Sequence, residues 1–125
     1  LQKSRPTGRL NLYYELGEEA IQAVVNDFYD RMINCPIVGH HFRGMDMNRL
    51  RRHQTKFLSY VLGSPEEYTG QTLRLAHRRL EITSEEYEVT IQHLDNSLKK
   101  FNLDIESRAK IQAFIRSLKG FIINK

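Results

Sequence analysis

The chain has 125 residues, 40% of them apolar, and a net charge of +4 from 19 basic and 15 acidic residues. That suits one domain with a single core, and no run nears the about 20 apolar residues of a membrane-spanning helix. The basic residues lie among acidic ones, a balance that does not by itself point to nucleic acid, and the lone Cys35 excludes an internal disulfide or an all-thiolate zinc site.

Leu1 to Arg9 are polar and basic with a proline, unlike a secretory signal, so a reducing, cytoplasmic setting is expected. The first residue is Leu rather than Met, which suits a trimmed protein or a domain of a longer one. Residues 1–11 read as an irregular extension and 12–125 as the folded domain. A short helical turn around Leu12–Leu16 ends at Gly17. A helix then runs from about Glu18 to Asn34, with Glu18 and Glu19 at the positive end of its dipole. Ile21, Val25, Phe28 and Met32 form its buried stripe, and Cys35–Pro36 stops it. Asp46 is a good N-cap for a helix to about Leu62, with Met47, Leu50, Phe57, Leu58 and Val61 on its apolar face. Gly63-Ser64-Pro65 breaks that helix, and Thr69–Gly70 marks another turn. A short helix around Thr72–Arg79 carries His77. Thr83 with Glu86 forms a capping box for a helix to about Phe101, whose stripe Tyr87–Ile91–Leu94–Leu98 leaves His93 exposed. A last helix, about Asp104 to Ile122, presents Ile105, Ile111, Phe114, Ile115, Leu118 and Phe121. With no alternating segment anywhere, the fold class is all-α.

Some polar residues do not suit a plain helical core. Leu50, Gln54, Phe57 and Val61 recur at i, i+4, i+7 and i+11, so Gln54 lies within a buried stripe and His53 at its edge. Tyr29 follows Val25 by four residues and adjoins Phe28. His77 is four residues after Leu73 and three before Leu80. Each alone reads as an ordinary core residue with a hydrogen-bond partner. Together, in so small a domain, they suggest that something fills the space between them. A planar apolar cofactor with a central metal would do so, with one imidazole as ligand and the remaining polar groups facing a bound gas.

Four separated pieces then carry a resemblance. They are YYELG with the following helix ending in VVNDFYDRM, then HHFRGMDMNRLRRHQTKFL, GSPEEYTG, and LRLAHRRLEIT. In order and spacing they resemble the truncated (2-on-2) haemoglobins of group I, from about Leu12 to Leu118. The resemblance implies a two-over-two helical sandwich around haem. It implies His77 as proximal iron ligand, with Leu73 and Arg74 among the cofactor-binding residues one turn earlier. It puts Phe42 against the haem, Tyr29 and Gln54 on the distal side as gas-facing residues, and Leu50 and Phe57 beside them. His53 precedes Gln54, and in some resembling cyanobacterial and algal proteins the histidine at this place ligates the iron as a sixth ligand. The other reading of His53 is an edge histidine bonded to a haem propionate.

The chain departs from the family in carrying Gly17-Glu18 where a Gly-Gly pair is usual. It has no tryptophan, which favours group I over group II. No histidine lies beyond His93, so non-covalent haem b is expected. The expected partners are oxygen, nitric oxide and carbon monoxide, with a separate reductase if the chemistry is nitric oxide dioxygenation, and a monomer or weak dimer. Oxygen storage or transport and a haem gas-sensor domain are the alternatives, and a cofactor-free helical binding module is the reading from outside the family. The arginines around His77 and on the distal helix are expected mostly on solvated faces. His40 and His41 are expected to be structural or solvent-facing, because two imidazoles fall short of the ligands zinc takes.

Overall fold

A computed structural model describes residues 10–66 and 82–122, the last two as backbone only. Helix α1 (Tyr13–Leu16) is a single turn, closed where the Gly17 N–H donates to Tyr13 O at 2.9 Å. Gly17 has φ +84°, which side-chain-bearing residues rarely adopt, and it redirects the chain straight into α2 (Glu18–Ile33). One glycine is therefore enough for the turn where the family usually has two. The inner face of α2 buries Ile21, Val24, Val25, Phe28, Tyr29 and Met32.

After α2 the chain folds back through a 3-10 turn, Gly39–Phe42. A Cβ on Gly39 would lie 2.6 Å from the Ile33 carbonyl oxygen, so only glycine lets this turn press against the end of α2. Helix α3 (Met47–Val61) starts at Asp46, whose carboxylate accepts the Arg49 N–H at 3.2 Å. Helix α4 (Ser84–Lys100) has the full capping box: Glu86 N–H donates to Thr83 Oγ1 at 3.1 Å, and Thr83 N–H donates to Glu86 Oε1 at 3.0 Å. Helix α5 (Ile105–Ser117) is capped by Asp104 and followed by one short helix, α6 (Lys119–Ile122).

Among the described residues there is no strand, and no helix is long and apolar enough to cross a membrane. Helix α2 packs on both α3 and α4, and α4 packs on α5, so two helix pairs meet through the α2–α4 contact. The core between them includes Phe57, Leu58, Val61, Tyr87, Ile91, Leu98, Ile111 and Phe114. Burying aliphatic and aromatic side chains of this size stabilises by about 1.5–3 kcal/mol each.

Polar clamps set how the pairs sit. Asp27 on α2 accepts from Arg31 Nε (2.7 Å), Ser97 Oγ (2.7 Å) and Lys100 Nζ (3.1 Å), which joins α2 to α4. Asp95 on α4 takes Arg108 and Gln112 from α5. The Tyr87 hydroxyl donates to the Ile115 carbonyl, and burial, with Glu88 nearby, raises its pKa and keeps that proton in place. Before α1, the N–H of Leu10 donates to Val61 O, and those of Leu12 and Tyr13 donate to Leu62 O, so this segment is strapped to the end of α3.

Two expectations need correction here. Ile105 is 74% exposed. It lies six residues before Ile111, about 240° around the helix, and so off the buried stripe. The last helix is also not continuous. At Leu118 the N–H donates to Ile115 O, three residues back, which tightens and ends α5 before α6 begins.

Candidate functional site

Among the described residues, a mainly apolar cavity lies between the two helix pairs. Phe28, Tyr29 and Met32 come from α2; Val38, His41, Phe42 and Met45 come from the connection to α3. Leu50, His53, Gln54 and Phe57 come from a single face of α3, at i, i+3, i+4 and i+7. Glu86, Tyr87, Thr90, Ile91 and Leu94 line it from α4, with Ile82 before that helix and Ile115 from α5.

Tyr29 is buried at 5% exposure. Its ring meets Phe28 and Phe42 edge to face, at centroid distances of 4.9 and 5.7 Å. The Arg51 guanidinium carbon lies 5.8 Å from the Tyr29 ring centroid. Arg51 is itself held across the α2–α3 seam by Asn26 O (3.1 Å), Asn26 Oδ1 (3.0 Å) and Asp30 Oδ1 (3.0 Å). One of the distal arginines expected on a solvated face is therefore a clamp over the tyrosine. His53 and Gln54 are half-buried. Burial, reinforced by the charges of Lys56 and Arg49, lowers the His53 pKa and favours the neutral imidazole. The neutral form is the one in which an imidazole ligates a metal.

Tyr29, Phe42, Leu50, His53, Gln54 and Phe57 thus all line the same cavity. Leu73, Arg74 and His77, with the expected helix around Thr72–Arg79, lie outside the described residues. The sequence reading had Tyr87, Ile91 and Leu94 as a core stripe without seeing that they form a cavity wall, and it missed Met45 and Thr90. Thr90 follows Tyr87 by three residues and Glu86 by four, a spacing that placed it on that wall. His93 is half-buried rather than exposed, and its Nε2 is sealed from solvent with no hydrogen-bond partner among the described residues. It lies three residues after Thr90 and four before the fully buried Ser97, so it shares their face toward α2; burial, then the charge of Arg31, lowers its pKa. His40 is exposed as expected, but His41 turns into the cavity wall beside Glu86.

These walls suit haem. They are largely aliphatic and aromatic, as a macrocycle needs. Tyr29, His53 and Gln54 gather on the adjoining α2 and α3 surfaces, while His41, Glu86 and Thr90 are the polar groups of the other walls.

Comparison with known proteins agrees. The sequence profile described as bacterial-like globin matches residues 11–124. A group 1 truncated hemoglobin of Chlamydomonas moewusii is 31% identical over 110 residues, which is 86% of this chain but only 64% of that protein's length. A group 1 truncated hemoglobin of Mycolicibacterium paratuberculosis is 31% identical over 102 residues, 82% of this chain and 75% of that protein. In three dimensions, the Fe(III) truncated hemoglobin of Tetrahymena pyriformis superposes with a TM-score of 0.81 at 27% identity, covering 90% of this chain and 98% of that one. With its two helix pairs, its apolar cavity and these relatives, the chain belongs to the group 1 truncated haemoglobins, globins that bind haem and diatomic gases.

Proposed function

We propose that residues 12–125 hold non-covalent haem b, with His77 as proximal ligand, and that the bound group serves nitric oxide dioxygenation rather than oxygen delivery. The reading is carried by one observation: Tyr29 and Gln54, both able to donate hydrogen bonds, line the same mainly apolar cavity. When bound, haem supplies a ferrous iron at which oxygen reacts with nitric oxide to give nitrate and ferric iron.

The chain's own residues do the rest. Phe42, Leu50 and Phe57 provide apolar contact and exclude water, with Leu73 and Arg74 assigned to the proximal side. The Tyr29 ring is held by Phe28, Phe42 and Arg51, so its position in the cavity wall is fixed without a large ordering cost. Bonds to a gas carrying partial negative charge are charge-assisted. At roughly 1.5 kcal/mol each, two such donors contribute about 3 kcal/mol and slow oxygen release by about two powers of ten. Retention of that order suits reaction at the site better than transport. A separate reductase would restore ferrous iron, in a cytoplasmic monomer or weak dimer. His53, whose neutral form burial favours, would compete with a gas for the iron if it ligates, and would otherwise stand at the cavity edge near a haem propionate.

Stopped-flow measurement of oxygen dissociation tests the reading, with carbon monoxide as the displacing ligand. Tyr29→Phe and Gln54→Leu are each expected to speed release about tenfold, and the oxygenated wild type is expected to yield nitrate on mixing with nitric oxide. Fast release from the wild type, together with an oxygenated form that survives nitric oxide, overturns it in favour of storage, transport or sensing.

A further inference from the structure

The 3-10 turn puts His40 and His41 side by side, their rings 4.1 Å apart and tilted by 35°. Across the cavity rim, the first turn of α4 brings Glu86 to both. His41 Nε2 lies 3.2 Å from Glu86 Oε1, and His40 Nε2 lies 3.6 Å from Glu86 Oε2. Among the described residues this is the one group of three metal-ligating side chains, its donor atoms all within 4.8 Å of one another. The two imidazoles alone fell short of a metal site; the third ligand comes from 45 residues further along and is visible only in the fold.

We propose that His40, His41 and Glu86 form a second metal site, separate from the haem iron, for a divalent ion of the zinc class. The ligand chemistry is two imidazole nitrogens and a carboxylate oxygen, a set that zinc accepts with one position left open. In a tetrahedron with bonds of about 2.0–2.1 Å, ligand atoms stand about 3.3–3.4 Å apart, and the two measured separations straddle that value. The His41 Nε2 is sealed from solvent and, although close to the carboxylate, makes no properly directed hydrogen bond. A buried nitrogen 3.2 Å from a carboxylate, with no directed hydrogen bond to it, is an arrangement that a shared ion would satisfy. The carboxylate is pre-positioned, because the Thr83 N–H holds Glu86 Oε1 in the capping box, the kind of outer contact that metal-binding carboxylates use. His40 is half-exposed and gives the ion its entry path and its open position.

Such an ion would fasten the turn that carries Phe42 to the start of α4. The metal site does not depend on the haem reading; its placement on the rim of the haem cavity does. The test is calorimetric titration of zinc ions into the haem-loaded protein, whose Soret band reports the haem reading separately before any zinc is added. The expected result is one site per chain. Affinity should fall at least about tenfold in His40→Ala, His41→Ala and Glu86→Gln, no less than is seen for loss of an outer-shell contact, and should hold in Cys35→Ser and His93→Gln. Glutamine keeps the capping box, and His40 is half-exposed, so neither loss is explained by unfolding. Zinc should also raise the thermal midpoint of the wild type but not of His40→Ala. The proposal is overturned by the absence of a saturable site, by binding that survives both Glu86→Gln and His41→Ala, or by binding that depends on Cys35.

Discussion

Replacing Asp27 with asparagine keeps the shape of the α2–α4 clamp and removes its charge. Burial on its own would raise the Asp27 pKa, but hydrogen bonds from Arg31, Ser97 and Lys100 outweigh it and bring the group from 3.8 down to about 2. Converted directly, that difference is about 2.5 kcal/mol. Arg31 and Lys100 are 35% and 59% exposed, so solvent screens part of it and about 1–2 kcal/mol remains. The folded-state pKa is depressed, so this stability is fully present above pH 3.8 and is lost as the pH falls toward 2. Urea unfolding followed by helical circular dichroism from pH 6 to pH 2.5 should show the wild type more stable than Asp27→Asn by that amount at the upper end, with the gap closing at the lower. A gap that stays constant with pH, or is absent at pH 6, refutes the reasoning. Because Asp27 directly precedes Phe28 and Tyr29, the variant should also loosen the cavity wall.

Gly39→Ala sets a Cβ 2.6 Å from backbone oxygen, and the turn must yield. A cost of about 1–3 kcal/mol is expected in thermal or urea unfolding, with faster haem loss as Phe42 shifts against Tyr29; an unchanged midpoint would show that the turn has room. His53→Leu should convert a low-spin ferric spectrum to high-spin if His53 is the sixth ligand, and an unchanged spectrum removes it from that role. Since burial lowers the His53 pKa below 6.5, the low-spin form should persist as the pH falls past that value and give way only in more acid solution.

The helices could be read because their signals are local. Asp46 and the Thr83–Glu86 box mark helix starts by bonds that span three residues, and the α2 stripe follows from 3.6-residue periodicity. The α3 wall of the cavity was legible for the same reason, since Leu50, His53, Gln54 and Phe57 sit on one helix face. Periodicity applied with more care would also have removed Ile105 from the core. The position of His93 was harder to see. It depends on how closely α2 approaches α4, which the Asp27 clamp decides. The meeting of His41 with Glu86 was not legible at all, because Glu86 already had a sufficient local role as a cap and nothing in either segment points to the other.

The strap before α1 has a consequence for exchange. The carbonyls at the end of a helix have no partner within it, and here those of Val61 and Leu62 are taken by the amides of Leu10, Leu12 and Tyr13. These three amides can trade their protons with solvent only when the segment parts from the end of α3. The segment before α1 and the end of the helix that bears His53 and Gln54 are thus tied together, and each restrains fraying of the other. A tag, fusion or proteolytic cut placed just ahead of Leu10 should therefore be read out first in the exchange of the Leu10, Leu12 and Tyr13 amides and in fraying at Val61 and Leu62.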